Sequence, residues 1–157
     1  MGRKGFVVKM KITCLILNWN TAPECVKLLE SMREAKVKDV DVLVIDNASR
    51  DNGFEEMKRI APEVKFLQLD SNLGFTGGFN AGIRSALEAG SDLLVVMNPD
   101  MVFVENPFTE LAKTFEENKQ LGVASIGIYN DPECRELYCN GWRHKSPSNF
   151  YRVLKSG

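Results

Sequence analysis

Five short apolar runs, at residues 12–17, 42–45, 65–69, 93–97 and 123–128, are spaced along this chain too far apart for hairpins. Each has the length of a strand and is rich in Val, Leu or Ile on consecutive rather than alternate residues, as strands covered on both faces are. The intervening segments carry a helical period. Residues 23–35 place Val26, Leu28, Leu29 and Met32 on one side, with Thr21 and Glu24 spaced as a capping box; Asn52 and Glu55 repeat that spacing before Met57 and Ile60. Residues 78–89 align Phe79, Ile83 and Leu87, and residues 107–118 align Phe108, Leu111, Ala112 and Phe115. Strand and helix in alternation require crossovers, and crossovers are right-handed. The expected fold is therefore α/β, a doubly wound and mostly parallel sheet with helices on both faces. After Asn130, Pro, Gly and Ser become frequent, which suggests a short hairpin followed by a loose tail.

At 157 residues and 44% hydrophobic content the chain is long enough for one domain with an ordinary core. Lys and Arg number 20 against 21 Asp and Glu, so no overall field draws nucleic acid. The basic residues are unevenly spread. Arg3, Lys4, Lys9 and Lys11 at one end, and Arg143, Lys145, Arg152 and Lys155 at the other, lie in stretches without acids. These termini offer peripheral contact with an anionic membrane surface, against the plainer reading of solvated, frayed ends. No apolar run approaches the ~20 residues of a membrane span. Cys14, Cys25, Cys134 and Cys139 form no C-x-x-C pair, and Cys14 falls in a core strand, as reduced thiols do. The location expected is cytoplasmic, peripheral at the inner membrane face if the termini engage it. Cys134, Cys139 and His144 lie close in sequence, but their spacing departs from the paired ligands of structural zinc sites.

The strand ends hold the chemistry. The first four runs finish in Asn18-Trp19-Asn20, Asp46-Asn47, Asp70-Ser71-Asn72 and Asn98-Pro99-Asp100. In a doubly wound sheet these ends share one edge, where ligands bind. Asn and Asp also cap helices and make turns, and for Asn47, Asp70 and Ser71 that reading stands beside the ligand reading. It does not account for Asp100. Pro99 has no amide hydrogen and stops the ladder, and Met101, Val102 and Phe103 open no amphipathic helix that a carboxylate would cap. Residues 72–82, NLGFTGGFNAG, add a glycine-rich turn entering a helix, where Asn72, Gly74, Gly77, Gly78 and Asn80 let backbone amides approach a phosphate. The stretch matches neither the dinucleotide fingerprint nor the phosphate loop of nucleoside triphosphatases. A carboxylate beside a phosphate-binding turn suits Mg²⁺ or Mn²⁺ bridging Asp100 and a diphosphate.

The segments LILNWNT (15–21), VIDNASRD (44–51), NLGFTGGFNAGI (72–83) and VVMNPD (95–100), in that order, resemble the family-two glycosyltransferases of GT-A fold, and among them the rhamnosyltransferase-like branch. The similarity covers residues 12 to about 142. It implies that Asp46 binds a pyrimidine base with Asn18, Trp19, Asn20 and Asn47 around it. Asn98-Pro99-Asp100 stands in for the Asp-x-Asp motif, with Asp100 as the metal ligand. It also implies inverting transfer from a UDP- or dTDP-linked sugar to a glycan or lipid-linked acceptor, the metal neutralising the leaving group. Phe79 stands where relatives usually show Asn or Arg, which implies either one polar contact to the ligand fewer or, from its place on the helical stripe, a core role.

The organisation expected is a basic extension at 1–11, a nucleotide-sugar-binding domain at 12–142 and a basic tail at 143–157, without the family's acceptor-binding half. No general base is assigned, because Asp131, Glu133 and Glu136, the only carboxylates after Glu117, read as turn residues. A homo-oligomer or partner subunit could supply the missing group. Two rivals remain: a non-catalytic or truncated nucleotide-sugar-binding module, and an interaction protein on a GT-A-like scaffold.

Overall fold

A computed structural model describes residues 10–130, 135, 137–139 and 152–154. The chain divides into two compact units, Met1–Phe103 and Val104–Gly157. The first contains β1 (Ile12–Asn18), α1 (Ala22–Glu34), β2 (Val40–Asp46), α2 (Gly53–Ile60), β3 (Lys65–Gln68), α3 (Gly74–Glu88) and β4 (Leu93–Met97). Its four strands are all parallel, in the order β3-β2-β1-β4. The chain winds outward from β1 to β3 and then crosses back to β4, so the switch point lies between β1 and β4.

That reversal puts helices on both faces. Leu15, Leu43 and Ile45 point toward α3 and form a core with Phe79 and Ala86. The alternate residues of β1 point the other way: Asn18 meets Cys25 of α1, and α1 packs against α2. Cys14 lies on that side too, its thiol 3.3 Å from the Met97 sulfur. Gly82 explains how α3 comes so close, since a Cβ there would collide with the Ile45 side chain. The whole of Leu15, Ile16, Val44 and Ile45 is buried, as expected for central strands of consecutive apolar residues.

Several expectations need correction. Neither Thr21 nor Asn52 makes a side-chain capping bond. The Thr21 hydroxyl and amide both donate to Asn18 Oδ1, at 3.1 Å each, and the Asp51 carboxylate takes the Gly53 amide at 3.1 Å. The helix expected from Gly78 begins at Gly74, so the glycine-rich stretch forms its first turns. Leu87 is 56% exposed, and Ala86 takes its place on the buried stripe. Phe79 is a core residue, as its position on the stripe suggested.

The second unit holds α4 (Phe108–Glu117), β5 (Ala124–Ile126), β6 (Ile128–Tyr129), β7 (Leu137–Cys139) and β8 (Arg152–Leu154). The fifth apolar run does not extend the four-stranded sheet. It divides at Gly127 into β5, which pairs parallel with β8, and β6, which pairs antiparallel with β7; the antiparallel pair thus begins before Asn130, in the fifth apolar run, and not after it as expected. The β8 pairing replaces the loose tail over those three residues. Asp131, Glu133, Cys134, Glu136, Trp142, Arg143, His144 and Lys145, and residues 1–9 of the expected 1–11 extension, lie outside the described residues.

Candidate functional site

All four strand ends of the first unit reach one edge, because the strands are parallel. Asn18 lies in register with Asp46, and Asp46 with Gln68. The ladder carries on past these ends: the Asn47 amide donates to the Asn18 carbonyl and the Leu69 amide to the Asp46 carbonyl, each at 2.9 Å.

Three polar side chains at this edge are buried, Asn18 and Asp46 at 0% exposure and Asn47 at 2%. A polar group taken from water must find partners inside, and each of these does. Asn18 Nδ2 donates to Asp46 Oδ1 at 2.8 Å and to Ser49 Oγ at 3.0 Å, while its Oδ1 accepts from Thr21 and from the Cys25 thiol. Those partners fix the amide's orientation, since only its nitrogen can face a carboxylate oxygen and only its oxygen can face an amide N–H. Asp46 Oδ2 takes the Ser49 amide at 3.2 Å. Asn47 Nδ2 donates to Asn72 Oδ1 at 2.9 Å and to the Gly74 carbonyl at 3.2 Å, and its Oδ1 accepts the Leu73 amide at 2.9 Å. In this conformation Asp46 shows no surface to a ligand, and both of its oxygens hold protein donors. Its visible work is to tie the end of β1 to the loop after β2.

That tie is reinforced from the exposed side. The Asn20 amide donates to Ser49 Oγ at 2.9 Å, and Asn20 Oδ1 accepts the Arg50 amide at 2.8 Å. Asn20 and Ala48 are held in the left-handed region, at φ 56° and 58°. Such a conformation costs roughly 1–2 kcal/mol for a residue with a Cβ, and it persists because the surrounding bonds determine it. Between the buried Asn18 and the pinned Asn20, Trp19 stands 53% exposed. Ser49, Arg50 and Thr21 in its bonding role were not singled out by sequence reasoning. The signal for Ser49 was its position three residues after Asp46, where a backbone amide returns to a strand-end carboxylate.

The glycine-rich segment has its own internal uses. Gly74 adopts φ 69°, which a Cβ would strain; a Cβ on Gly77 would press on Leu73, and one on Gly78 would strike Leu17. Asn72 Oδ1 accepts the Gly74 amide at 2.8 Å, turning the chain into α3. Asn72, Asn80, Asn98 and Asp100 are exposed. The turn after β4 brings Asn98 and Asp100 to the same edge as Trp19.

Among the described residues no three His, Cys, Asp or Glu side chains gather to hold a metal by themselves. Asp100 and Asn98 offer hard oxygen donors, and Asp100 makes no hydrogen bond or ion pair among the described residues. A carboxylate and an amide oxygen are hard donors of the kind a divalent cation takes. Burial pushes the Cys25 thiol beside this network up to about 12, and the Cys14 thiol likewise to about 12. A depression of about 410 Å³ lies at the opposite sheet edge and is lined by Met10, Lys11, Asp39, Val40 and Asp41. There Lys65, 2.6 Å from Asp41, and Lys11, 3.8 Å from it, compensate the Asp41 charge.

The model of glycosyl transferase family 2 matches residues 13–152, most of the chain. The chain belongs to glycosyl transferase family 2. This family 2 chain is 26% identical over 109 residues to the uncharacterized glycosyltransferase YwdF of Bacillus subtilis, covering 68% of itself and 39% of that protein. It is 36% identical over 94 residues to the undecaprenyl-phosphate mannosyltransferase of Micrococcus luteus, covering 58% of itself and 38% of that protein. It thus spans less than half the length of these curated relatives. Among solved structures, TarS 1–349 of S. aureus in complex with UDP superposes with a TM-score of 0.64 at 19% identity, over 76% of this chain and 36% of that one. The Pyrobaculum calidifontis mannosyltransferase PcManGT, in complex with GDP-Man and Mn²⁺, gives a TM-score of 0.61 at 17% identity, over 76% and 36%. These likenesses establish the GT-A fold.

Proposed function

We propose that this chain is the donor-binding part of a glycosyltransferase that takes a pyrimidine nucleoside diphosphate sugar, UDP- or dTDP-linked, and passes the sugar to a glycan or lipid-linked acceptor with inversion. One observation carries the reading. At the shared strand edge the polar groups divide into a buried set bonded inside the protein (Asn18, Asp46, Asn47) and an exposed set (Trp19, Asn20, Asn72, Asn98, Asp100), of which Asn20 and Asn72 also accept internal bonds through Oδ1. The buried set is a frame and the exposed set is what a ligand meets. Trp19 and Asn20 take the base, with Asp46 acting on it through the Asn18–Ser49 frame. The first turns of α3, where Gly74, Gly77 and Gly78 keep the backbone unobstructed, receive the diphosphate beside Asn80. Asp100, aided by Asn98, holds Mg²⁺ or Mn²⁺, which offsets negative charge on the departing diphosphate. The bound nucleotides of the TarS and PcManGT structures support a nucleotide-sugar ligand for this fold. The rhamnosyltransferase-like branch rests on the four motifs, and a peripheral membrane location on the basic termini.

A second reading has its own support. The same exposed groups would also serve a module that binds donor without transferring it, since none of the described side chains at this edge is assigned as a general base. One experiment addresses both. Asp100→Ala, an exposed change, should leave the melting temperature unchanged and remove the Mn²⁺-dependent part of UDP binding in calorimetry. Equal metal-dependent affinity in the two proteins would remove Asp100 from the metal site. Turnover of UDP- and dTDP-linked sugars by the purified chain then separates transferase from binding module.

A further inference from the structure

The two neighbours of Trp19 share one acceptor atom. Ser49 Oγ accepts the side-chain amide of Asn18 at 3.0 Å and the backbone amide of Asn20 at 2.9 Å. Ser49 is itself anchored through its backbone, whose amide donates to Asp46 Oδ2 at 3.2 Å. Asn20 is in the left-handed region at φ 56°, a conformation an Asn tolerates but does not prefer. With its amide released, Asn20 would lose one of the two bonds that hold it there, the other being from the Arg50 amide. The indole between these anchors is half in solvent and has no hydrogen bond or ring contact among the described residues, so backbone placement is what aims it.

We propose that Ser49 is a positioning residue for donor recognition: its hydroxyl oxygen clamps the residues on either side of Trp19 and so sets the indole as a preformed surface for the base. The proposal deepens the donor-binding reading and rests on it. Preforming a stacking surface lowers the ordering cost that binding would otherwise incur. Replacing the hydroxyl leaves two donors without their shared acceptor, although Asn18 keeps Asp46. The consequence falls on Asn20 and on the direction of Trp19, more than on the core.

The test uses Trp142→Phe protein, in which Trp19 is the only indole, and compares Ser49→Ala with Ser49→Thr. In Ser49→Ala the indole N–H resonance of Trp19 should shift or broaden in the free protein. UDP affinity should fall roughly tenfold, the scale of one lost hydrogen bond. Ser49→Thr, which restores the oxygen, should return both toward the parent. A Ser49→Ala protein that melts lower but keeps the parental Trp19 resonance and UDP affinity would show a merely structural serine and overturn the proposal. Should Ser49→Ala fail to fold, Ser49→Cys, with a weaker acceptor of similar size, gives the same comparison. If the parent binds no UDP, the donor-binding reading fails, while an unchanged Trp19 resonance in the variant would separately refute the clamp.

Discussion

Asp46→Ala distinguishes a carboxylate that holds the protein together from one that reads a ligand. Asp46 is fully buried, and its two oxygens accept from Asn18 Nδ2 at 2.8 Å and the Ser49 amide at 3.2 Å. Hydrogen bonds to a charged group contribute about 1.5–3 kcal/mol each, and an unsatisfied buried donor costs about 1–3 kcal/mol. Asn18 Nδ2 keeps Ser49 Oγ, so its loss belongs at the low end; the Ser49 amide loses its acceptor outright. The expected destabilisation is therefore about 3–5 kcal/mol. For a unit of about 100 residues each kcal/mol shifts Tm by roughly 4–8 °C, so the melting temperature should fall by roughly 12 °C or more. Asp46→Asn should recover only part of this. Both partners are donors, and an amide presents one acceptor oxygen where the carboxylate has two. Calorimetric melting of the three proteins, with UDP and GDP titrations on whatever remains folded, makes the comparison. A Tm within about 3 °C of the parent, together with selective loss of UDP affinity, would refute the strut assignment. It would mean that Asp46 leaves its protein partners to contact the base.

Ala48→Gly should stabilise the protein. At φ 58° the alanine bears a left-handed strain of about 1–2 kcal/mol, and glycine's greater freedom when unfolded returns roughly 0.5–1 kcal/mol of that. A rise of about 0.5–1 kcal/mol in urea unfolding at unchanged m-value is expected, and a fall would mean that the loop after β2 does not hold this conformation. The buried thiols set an alkaline limit. Cys14 and Cys25 are both raised from 9.0 to about 12 by burial, so between those pH values the folded state keeps protons that the unfolded chain releases. Stability from this source is complete below pH 9 and falls as pH rises toward 12. Cys14→Ala, although less stable throughout because of its cavity, should lose stability less steeply across that window in denaturant titrations; an unchanged slope would contradict the shift.

The alternation of apolar runs and helical periods was enough to determine four parallel strands, three of the helices that cover them and the shared edge where those strands end. Burial on both faces demands consecutive apolar residues, and that demand is written locally. The strand-terminal Asn and Asp residues were equally legible as a group. Their separate duties were not. Asn18, Asp46 and Asn47 look like Asn20, Asn98 and Asp100 in a string of letters, yet the first three are buried, Asn18 bonded to Asp46 and Ser49 and Asn47 to Asn72, partners 25 to 31 residues away, while Asn20, Asn98 and Asp100 are exposed. Whether a polar side chain serves as frame or as ligand contact depends on which partners the fold brings to it, and those partners come from other strands. The same reason moved Thr21 from capping its own helix to bonding Asn18, and took the fifth apolar run out of the sheet into pairings with β7 and β8. Local pattern determines that a segment is a strand or a helix; only tertiary contact decides what each hydrogen-bonding group at its end is left free to do.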